Sequence, residues 1–381
     1  MAYSSVEAKS IQELCKVIDC EHKTAPYVEK SDYLVVRTSN VRNGRMVMED
    51  MKYTTLEGFK EWTQRAVPEA GDVLFTREAP AGESCLVPKD KNVCMGQRMV
   101  MLRPNREKVD PIFLSLVLAT EKSKFDILRL SIGSTVSRIN IADIKKLRIA
   151  APPLLEQRKV AQILSTWDKA IATTEQMLTN SQQQKNALMQ QLLTSKRRFS
   201  EFSEDWKDVY LGDIAKITTG SSNRQDSQLS GTYTFFDRSE DIRSSDRYLF
   251  DGEAVIVPGE GQDFVPKYFF GKFDLHQRTY AIMDFPTCDG KYLFYAIHYF
   301  RAHFLSQAVG STVKSLRLPM FQKMKLHLPT LAEQKKIASI LSNADQEIES
   351  LQQKLNYLKQ EKKALMQQLL TGKRRVKMDA A

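Results

Sequence analysis

Two short stretches of the sequence come close to known catalytic motifs, and each lacks residues that the chemistry requires. Asp110–Phe113 (DPIF) approaches the D/N-P-P-Y/F loop with which amino-methyltransferases hold a target amino group, but its second proline is missing. No F-x-G-x-G loop for a methyl donor occurs in the sequence. Gly259–Gly261 (GEG) is a lone G-x-G with no phosphate-binding residues after it, a pattern that favours a turn. Because a nuclease-like carboxylate cluster with a following lysine is also missing, the sequence predicts a chain without catalytic activity of its own.

The residues that most often hold metals or form disulfides are scattered along the chain. No two of the five cysteines have the C-x-x-C spacing of a zinc or redox site, and the five histidines contain no H-E-x-x-H pair. The cysteines are Cys15, Cys20, Cys85, Cys94 and Cys288. We therefore expect reduced thiols that pack as small apolar side chains, with no metal and no cofactor bound by this chain.

The overall composition favours a polyanionic partner in the cytoplasm. The 381 residues carry a net charge of +10 and have a pI near 9.2, a balance found in many proteins that bind nucleic acids. No stretch approaches the roughly 20 apolar residues of a membrane-spanning helix, and the start, MAYSSVEAKS, lacks the pattern of a signal peptide. The length suffices for two or more domains.

An internal repeat organises the chain. The sequence ALMQQLLT occurs at Ala187–Thr194 and again at Ala364–Thr371, and we call the separation of these two copies the repeat offset. Without a gap, the same offset superimposes Gly133–Val136 (GSTV) on Gly310–Val313, Glu156-Gln157 on Glu333-Gln334, and Lys196–Arg198 on Lys373–Arg375. A repeat of this kind indicates that the chain was built from two copies of one unit.

Fainter landmarks repeat in the regions before these helices. Arg37–Arg42 is similar to Arg238–Arg243, Gly71–Leu74 to Gly252–Val255, and Gln97-Arg98 to Gln277-Arg278. Turn-rich segments separate the landmarks, and helix-like runs follow near Pro111–Leu130 and Lys291–Leu305. The sequence therefore predicts a mixed α/β (α+β) fold with two pseudo-repeated globular domains and two long helices. The predicted segments are 1–150 (domain), 151–198 (helix), 199–327 (domain), 328–376 (helix) and 377–381 (tail).

The two long helices carry apolar residues in alternating steps of four and three, which predicts a coiled-coil seam. Thr330–Glu333 (TLAE) is a capping box at the start of the second helix. The seam comprises Val160, Leu164, Trp167, Ile171, Thr174, Leu178, Ser181, Lys185, Leu188 and Leu192 in the first copy, and Ile337, Leu341, Ala344, Ile348, Leu351, Leu355, Leu358, Lys362, Leu365 and Leu369 in the second. The two lysines either fix the register or reach out to solvent where the seam frays.

Length and connectivity predict how the helices pair. About 40 residues make a rod of roughly 60 Å, and an isolated amphipathic rod of that length is unstable in water. Because a globular domain follows the first helix at once, the simplest arrangement is an antiparallel coiled coil with one domain near each end. Residues 152–198 and 329–375 each carry a net charge of +4, so most of the excess positive charge lies on the helices.

The helix starts also carry a family signature. P-x-x-x-E-Q-[RK]-K-[VI]-A-x-I-L occurs at Pro152–Leu164 and again at Pro329–Leu341. With the duplicated layout and the GSTV loops, it resembles the specificity (S) subunits of type I restriction-modification systems. The resemblance implies that each globular domain is a target-recognition domain for one half of a split double-stranded DNA site in a prokaryotic cell.

Further expectations about partners come from the resemblance alone. The antiparallel helices would set the unread spacer and dock two modification (methyltransferase) subunits, which bind S-adenosylmethionine. Restriction subunits that use ATP and Mg²⁺ for translocation and cleavage would join this core. The geometry of B-DNA, independently of the resemblance, indicates that half-sites one helical turn apart, roughly 34 Å, suit readers related by a twofold axis.

Polar residues in turns are the candidates for reading bases, since arginine pairs with guanine and asparagine with adenine. The candidates are Lys23, Arg37, Asn40, Arg42, Asn43 and Arg77 in the first domain, and Ser222, Asn223, Arg224, Arg238, Arg243 and Gln262 in the second. In the GSTV loops, Ser134, Thr135, Ser311 and Thr312 either donate to phosphates or cap the preceding helix.

Two other interpretations fit the sequence. A coiled-coil scaffold with two protein-binding domains would share the layout but would show no steep salt dependence of DNA binding. A specificity subunit of a type IIB-like methyltransferase-nuclease would read DNA with different partners.

Overall fold

The structure of the chain is a computed structural model, and it describes residues 6–23, 26–131 and 137–376. The chain divides into two units. Unit 1 comprises Met1–Thr173 and Leu355–Ala381, and unit 2 comprises Thr174–Lys354. Each of the two long helices therefore contributes one part to each unit.

Short strands and helices alternate in the N-terminal part of unit 1. The strands are β1 (Ala8–Ser10), β2 (Cys15–Asp19), β3 (Tyr33–Val36), β4 (Val41–Arg42), β5 (Arg45–Met46), β6 (Lys52–Thr54), β7 (Val73–Thr76), β8 (Ser84–Leu86), β9 (Asn92–Met95), β10 (Met99–Pro104) and β11 (Arg148–Ala150). The helices are α1 (Ile11–Leu14), α2 (Leu56–Trp62), α3 (Pro111–Leu118), α4 (Glu121–Leu130) and α5 (Ile141–Lys146).

An antiparallel sheet with the order β2-β10-β7-β8 lies at the centre of unit 1. Alternation along β10 divides its side chains between two cores, because successive residues of a strand point to opposite faces. Val100 and Leu102 join the core around α3, while Met99 and Met101 join the core that includes β3 and β9. Both faces are buried, which explains why β10 is almost continuously apolar. A second sheet has the order β6-β3-β9, with β3 parallel to β9.

Unit 2 is built around a single larger sheet. After the first long helix, α6 (Leu154–Leu193), the chain forms β12 (Lys207–Tyr210), β13 (Lys216–Thr219), β14 (Tyr233–Phe236), β15 (Arg243–Ser245), β16 (Phe250–Pro258), β17 (Glu260–Gly261), β18 (Lys267–Leu275), β19 (Thr279–Met283), β20 (Lys314–Ser315) and β21 (Lys325–Leu328). The helices are α7 (Leu211–Ile214), α8 (Gly290–Tyr299), α9 (Ala302–Gln307), α10 (Leu318–Gln322) and the second long helix, α11 (Leu331–Leu369). The sheet order is β13-β19-β16-β18-β14-β15, and β14 and β18 are parallel.

The central strand of this sheet is also buried on both faces. Val255 and Val257 of β16 face the core that contains α8, and Ala254 and Ile256 face the opposite core. The mixed α/β fold that the sequence predicts is confirmed in both units.

Each predicted helix-like run is two helices rather than one. Between α3 and α4, the Thr120 hydroxyl accepts a hydrogen bond from the Ser123 amide at 3.2 Å and caps a new helix. In unit 2 the corresponding run divides between Tyr299 and Ala302. The helical character of both runs is confirmed, and the first run divides where Thr120, inside an apolar stretch, acts as an N-cap.

The predicted seam is confirmed along both long helices, since every seam residue is buried or half-buried. In unit 1, Val160 and Leu164 of α6 share a core with Leu369 of α11. In unit 2, Leu192 of α6 shares a core with Ile337 and Leu341 of α11. The helices thus close the hydrophobic core of each unit.

The predicted capping box at the start of α11 forms only in part. The Thr330 hydroxyl accepts from the Glu333 amide at 3.4 Å, as predicted. The Glu333 carboxylate instead bonds to the Arg198 guanidinium and to the Trp206 indole N–H. The ion pair with Arg198 therefore takes the place of the second hydrogen bond of the capping box, between the Glu333 carboxylate and the Thr330 amide.

Candidate nucleic-acid interface

The Glu-Gln pair at the start of each long helix ties that helix to its surroundings in the same way in both units. In unit 1, the Arg375 guanidinium donates to both oxygens of Glu156 at 2.7 and 2.5 Å. In unit 2, Arg198 makes the equivalent bidentate pair with Glu333 at 3.1 and 2.8 Å. These pairs join the start of one helix to the segment after the other, which establishes antiparallel pairing within each unit.

The glutamines anchor the domains to the helices. The Gln157 side-chain oxygen accepts from the Asp110 amide at 3.0 Å, and the Gln334 oxygen accepts from the Asp289 amide at 2.9 Å. Asp110 and Asp289 are the N-caps of α3 and α8. The DPIF stretch therefore has a structural role as a helix start, in agreement with the interpretation that it is not a catalytic loop.

The two seam lysines bond to aspartates on the facing helix. In unit 1, Lys362 donates to both Asp168 oxygens at 2.7 Å. In unit 2, Lys185 pairs with Asp345, and the Tyr295 hydroxyl donates to the same carboxylate at 2.6 Å. Both lysine side chains are more than four-fifths buried, so neither reaches out to solvent as the fraying alternative predicts. Their ion pairs across the two helices favour the register alternative, which stays a prediction.

A largely buried glutamate in unit 2, Glu260, forms ion pairs with two exposed arginines, Arg238 and Arg278. We name these three residues cluster 2. Glu260, with 12% of its side chain exposed, accepts from Arg238 Nη1 at 3.1 Å and pairs with Arg278 Nη1. The two arginine side chains are 53% and 61% exposed. Glu260 follows Gly259, where a Cβ atom would lie 2.6 Å from the Arg278 carbonyl oxygen, so the close approach of the two segments requires glycine.

Cluster 2 lines a cavity of about 240 Å³ together with Arg224, Asp237, His276 and Gln277. Burial lowers the pKa of His276; the charge of Asp237 opposes this shift, and the charges of Arg238 and Arg278 add to it. Its Nδ1 accepts from the Arg278 amide at 3.1 Å, which leaves the proton on Nε2. Burial would raise the pKa of Asp237, but hydrogen bonds from Ser239 outweigh it and lower that pKa. The cavity thus offers several donors and two carboxylates.

The structure places the second-domain candidates in different environments. Arg224 is 54% exposed, with Nε 3.9 Å from Asp237, and Asn223 accepts from the Gln277 side chain at 2.7 Å. Ser222 is fully buried and bonded to Asp274, so its hydroxyl is unable to reach a base in this structure. The half-buried Arg243 donates to the Ser227 hydroxyl at 3.1 Å. The remaining candidates, Gln262, Ser311 and Thr312, lie in exposed loops.

Unit 1 contains an equivalent set, which we name cluster 1. Glu78, with 16% of its side chain exposed, lies 3.2 Å from Arg98 Nε and 3.1 Å from Arg138 Nε. These arginines are 58% and 56% exposed. Neither was among the candidates from the sequence, nor was Arg278, although the Gln97-Arg98 and Gln277-Arg278 match had marked two of them as a repeated landmark.

Several first-domain candidates serve the structure of unit 1. Asn40 is fully buried, and its amide donates to the Val47 and Glu49 carbonyls. Arg77 is 6% exposed and pairs with Asp19 at 3.2 Å. These two side chains face the interior, where they form hydrogen bonds with buried backbone carbonyl groups. Polar side chains near strand ends commonly have this structural role.

The other first-domain candidates are more accessible. Arg37 donates to the Asp50 carbonyl at 2.6 Å, and Arg42 donates to the Thr38 carbonyl at 2.6 Å. Lys23 is 68% exposed near Glu61, and Asn43 is exposed in the turn between β4 and β5. Ser134 and Thr135 lie outside the described residues.

One group in unit 1 has the residue types of a metal site. Ligand atoms of Asp19, Cys20 and His22 lie within 4.8 Å of one another. Asp19 already pairs with Arg77, and burial raises the pKa of the Cys20 thiol. Both features disfavour a bound cation, so the arrangement fits a hydrogen-bonded corner better.

The described parts of the chain contain no helix with the length and hydropathy needed to cross a membrane.

Comparisons with known proteins agree on one family. The model of the type I restriction modification DNA specificity domain matches residues 3–180 and again residues 203–360. A Methanocaldococcus jannaschii protein, provisionally named the type I restriction enzyme MjaX specificity subunit, is 26% identical and covers 97% of this chain and 94% of its own. The MjaVIII specificity subunit of the same organism is 25% identical, with 82% and 80% covered. The crystal structure of the type I S subunit from M. genitalium is similar in fold, with a TM-score of 0.67, 15% identity and 96% of each chain covered.

Proposed function

Since the chain belongs to the type I restriction-modification DNA specificity family, with one match to the family model in each half, we propose that each unit reads one half of a bipartite DNA site. The observation that carries this proposal is the recurrence of one feature in both units. Clusters 1 and 2 each present two arginines that are more than half exposed, held by one glutamate. Exposed guanidinium groups are the commonest readers of guanine in the major groove.

The helices act as the frame that fixes the two readers. Support comes from the Glu-Arg and Lys-Asp contacts, which recur at the repeat offset. The Gln-amide contact also occurs in both units, with partner amides at Asp110 and Asp289. A frame with a fixed register sets the number of unread bases between the half-sites. The same helices dock two methyltransferase subunits on surfaces that the domains leave open.

Catalysis belongs to the partner subunits. The chain itself is non-catalytic, as the incomplete motifs in its sequence and the structural role of DPIF suggest. S-adenosylmethionine binds to the methyltransferase subunits, and ATP and Mg²⁺ bind to the restriction subunits. The complex works in the cytoplasm of a prokaryotic cell.

Single-molecule sequencing of methylated adenine tests the proposal most fully. The chain is produced in a host together with the methyltransferase encoded beside it, and the methylated motif is read from the genome. We expect a motif of two specified halves separated by unspecified bases. A continuous motif would contradict the two-reader proposal.

Salt dependence of DNA binding separates this function from a protein scaffold. The affinity of the purified complex for a duplex with the motif should fall by orders of magnitude between 50 and 200 mM salt if several phosphates are contacted. A scaffold would bind weakly and with little change. Genes next to this one distinguish separate type I partners from a fused type IIB-like methyltransferase-nuclease.

A further inference from the structure

Clusters 1 and 2 occupy equivalent places in two sheets of different construction. In unit 1, Thr76 of β7 pairs with Met99 of β10, and Glu78 and Arg98 lie just beyond that pair. In unit 2, Pro258 of β16 pairs with Thr279 of β19, and Glu260 and Arg278 lie just beyond in the same way. In both units, the glutamate lies two residues after the paired residue of the first strand. The arginine lies one residue before the paired residue of the second strand.

The segment after each GSTV loop also meets the glutamate. Glu78 forms an isolated antiparallel bridge with Arg138, and Glu260 pairs with Ser315 in β17 and β20. Arg138 and Ser315 are related by the repeat offset. The glutamate and the arginine across the strand pair therefore occupy equivalent positions in both halves of the duplication.

The second arginine of each cluster comes from a different element. In unit 1 it is Arg138, in the segment after the GSTV loop, where unit 2 has Ser315. In unit 2 it is Arg238, which follows β14. The glutamate also grips different atoms, Nε of both arginines in cluster 1 and Nη1 of both in cluster 2.

The carboxylate decides what the arginines bind. A half-buried anion within 3.2 Å of the guanidinium nitrogens repels a DNA phosphate that approaches the same groups. A guanine edge is neutral and presents two acceptors, O6 and N7, so it meets no such repulsion. The glutamate also holds the arginines in place before binding, which reduces the side-chain entropy lost on contact.

On the premise of the DNA-reading function above, we propose that Arg98 with Arg138, and Arg278 with Arg238, read guanine in the first and second half-site respectively. Glu78 and Glu260 are positioning residues that hold these arginines and disfavour phosphates. Each half-site accordingly contains at least one G·C pair, and the two halves differ because the second arginine differs in origin.

The test compares variants of the whole complex by adenine methylation sequencing and by competition between duplexes. Arg278→Ala should lose the preference for one guanine in the second half-site, by about tenfold or more, and leave the first half unchanged. Arg98→Ala should do the reverse. Lys216→Ala and Lys122→Ala, at lysines that are 71% and 68% exposed, are matched controls that should leave both halves unchanged.

The positioning role has a separate readout. Glu260→Gln should weaken binding to the specific duplex while it strengthens binding to unrelated DNA, because the carboxylate no longer repels phosphates. A merely structural role would lower both affinities together. Glu260→Asp should restore part of the discrimination.

Several results would overturn the inference. These are a wild-type half-site without a G·C pair, an Arg278→Ala motif identical to the wild type, or equal relaxation of both halves. A wild-type motif that is not bipartite would instead defeat the proposed function itself, so the two failures are distinguishable.

Discussion

The contacts that join each domain to the long helices are equivalent in unit 1 and unit 2, whereas the sheets of the two units differ. Glu156 and Glu333 each make a bidentate ion pair with an arginine, and Gln157 and Gln334 each accept from the amide of a helix N-cap. The central strands, by contrast, belong to two separate sheets in unit 1 and to one continuous sheet in unit 2. Duplication has thus kept the contacts that hold a domain on a helix pair and let the domain diverge. This is the division expected of one frame that carries two different readers.

The largest effect should come from the two equivalent leucines of the seam. Leu164 and Leu341 are fully buried and related by the repeat offset. Leu164→Ala and Leu341→Ala should each lower the free energy of unfolding of their own unit by about 3 kcal/mol. Hydrogen exchange measured by mass spectrometry should show loss of protection in that unit only. If the two variants lost unfolding free energy by amounts that differ several-fold, the helix packing in the two units would not be equivalent.

The anchoring glutamines should have a somewhat smaller effect. Gln157 and Gln334 are each 1% exposed, and each accepts from a backbone amide and donates to a backbone carbonyl. Truncation to alanine leaves these buried groups unpaired, which should cost about 2 kcal/mol in either unit. Denaturant titration of each variant measures this. A neutral result in one unit alone would show that its helix is anchored by other contacts.

The register lysines should matter less for stability. In Lys185→Met or Lys362→Met, the facing aspartate keeps a second partner, Tyr295 in unit 2 and Arg45 in unit 1. The apolar methionine fills the seam, so the change in unfolding free energy should stay within about 1 kcal/mol. If thermal melting showed that the unfolding free energy falls by several kcal/mol, the lysine-aspartate ion pair would be a main source of stability and not only a device that fixes the register.

The smallest effect concerns the thiols. Burial raises the pKa of Cys85 in unit 1 and of Cys288 in unit 2 to about 12, so almost no thiolate exists at pH 8. Both should resist alkylation in the folded chain and react only after unfolding, as peptide mass spectrometry can show. Rapid labelling of one of them in native buffer would indicate that its unit opens locally.

Local patterns predicted the frame well because a helix seam depends on spacing alone. The buried positions of Leu164 and Leu341 follow directly from steps of four and three. The partners of the seam lysines were missed, although Asp168 and Asp345 stand at the repeat offset, because pairing across helices depends on their relative register. The five cysteines are buried, as their predicted packing role requires.

The reading residues were harder to predict because a polar residue in a turn has two common uses. Asn40, Arg77 and Ser222 look like surface readers by type, yet all three are buried and bonded within the structure. Arg238 lies in cluster 2, whereas Arg98, Arg138 and Arg278 emerged only from three-dimensional contacts with a glutamate. The DNA roles of the exposed candidates, and the segment boundaries, stay predictions.

Exchange of one reader for a copy of the other tests most directly whether a single frame carries two interchangeable readers. Residues 1–150 are replaced by a second copy of residues 199–327, and the methylated motif is sequenced in a host with the methyltransferase partner. Antiparallel helix pairing predicts a motif whose two halves are inverted copies of the original second half-site. A motif that keeps the original first half, or whose halves still differ, would contradict the account.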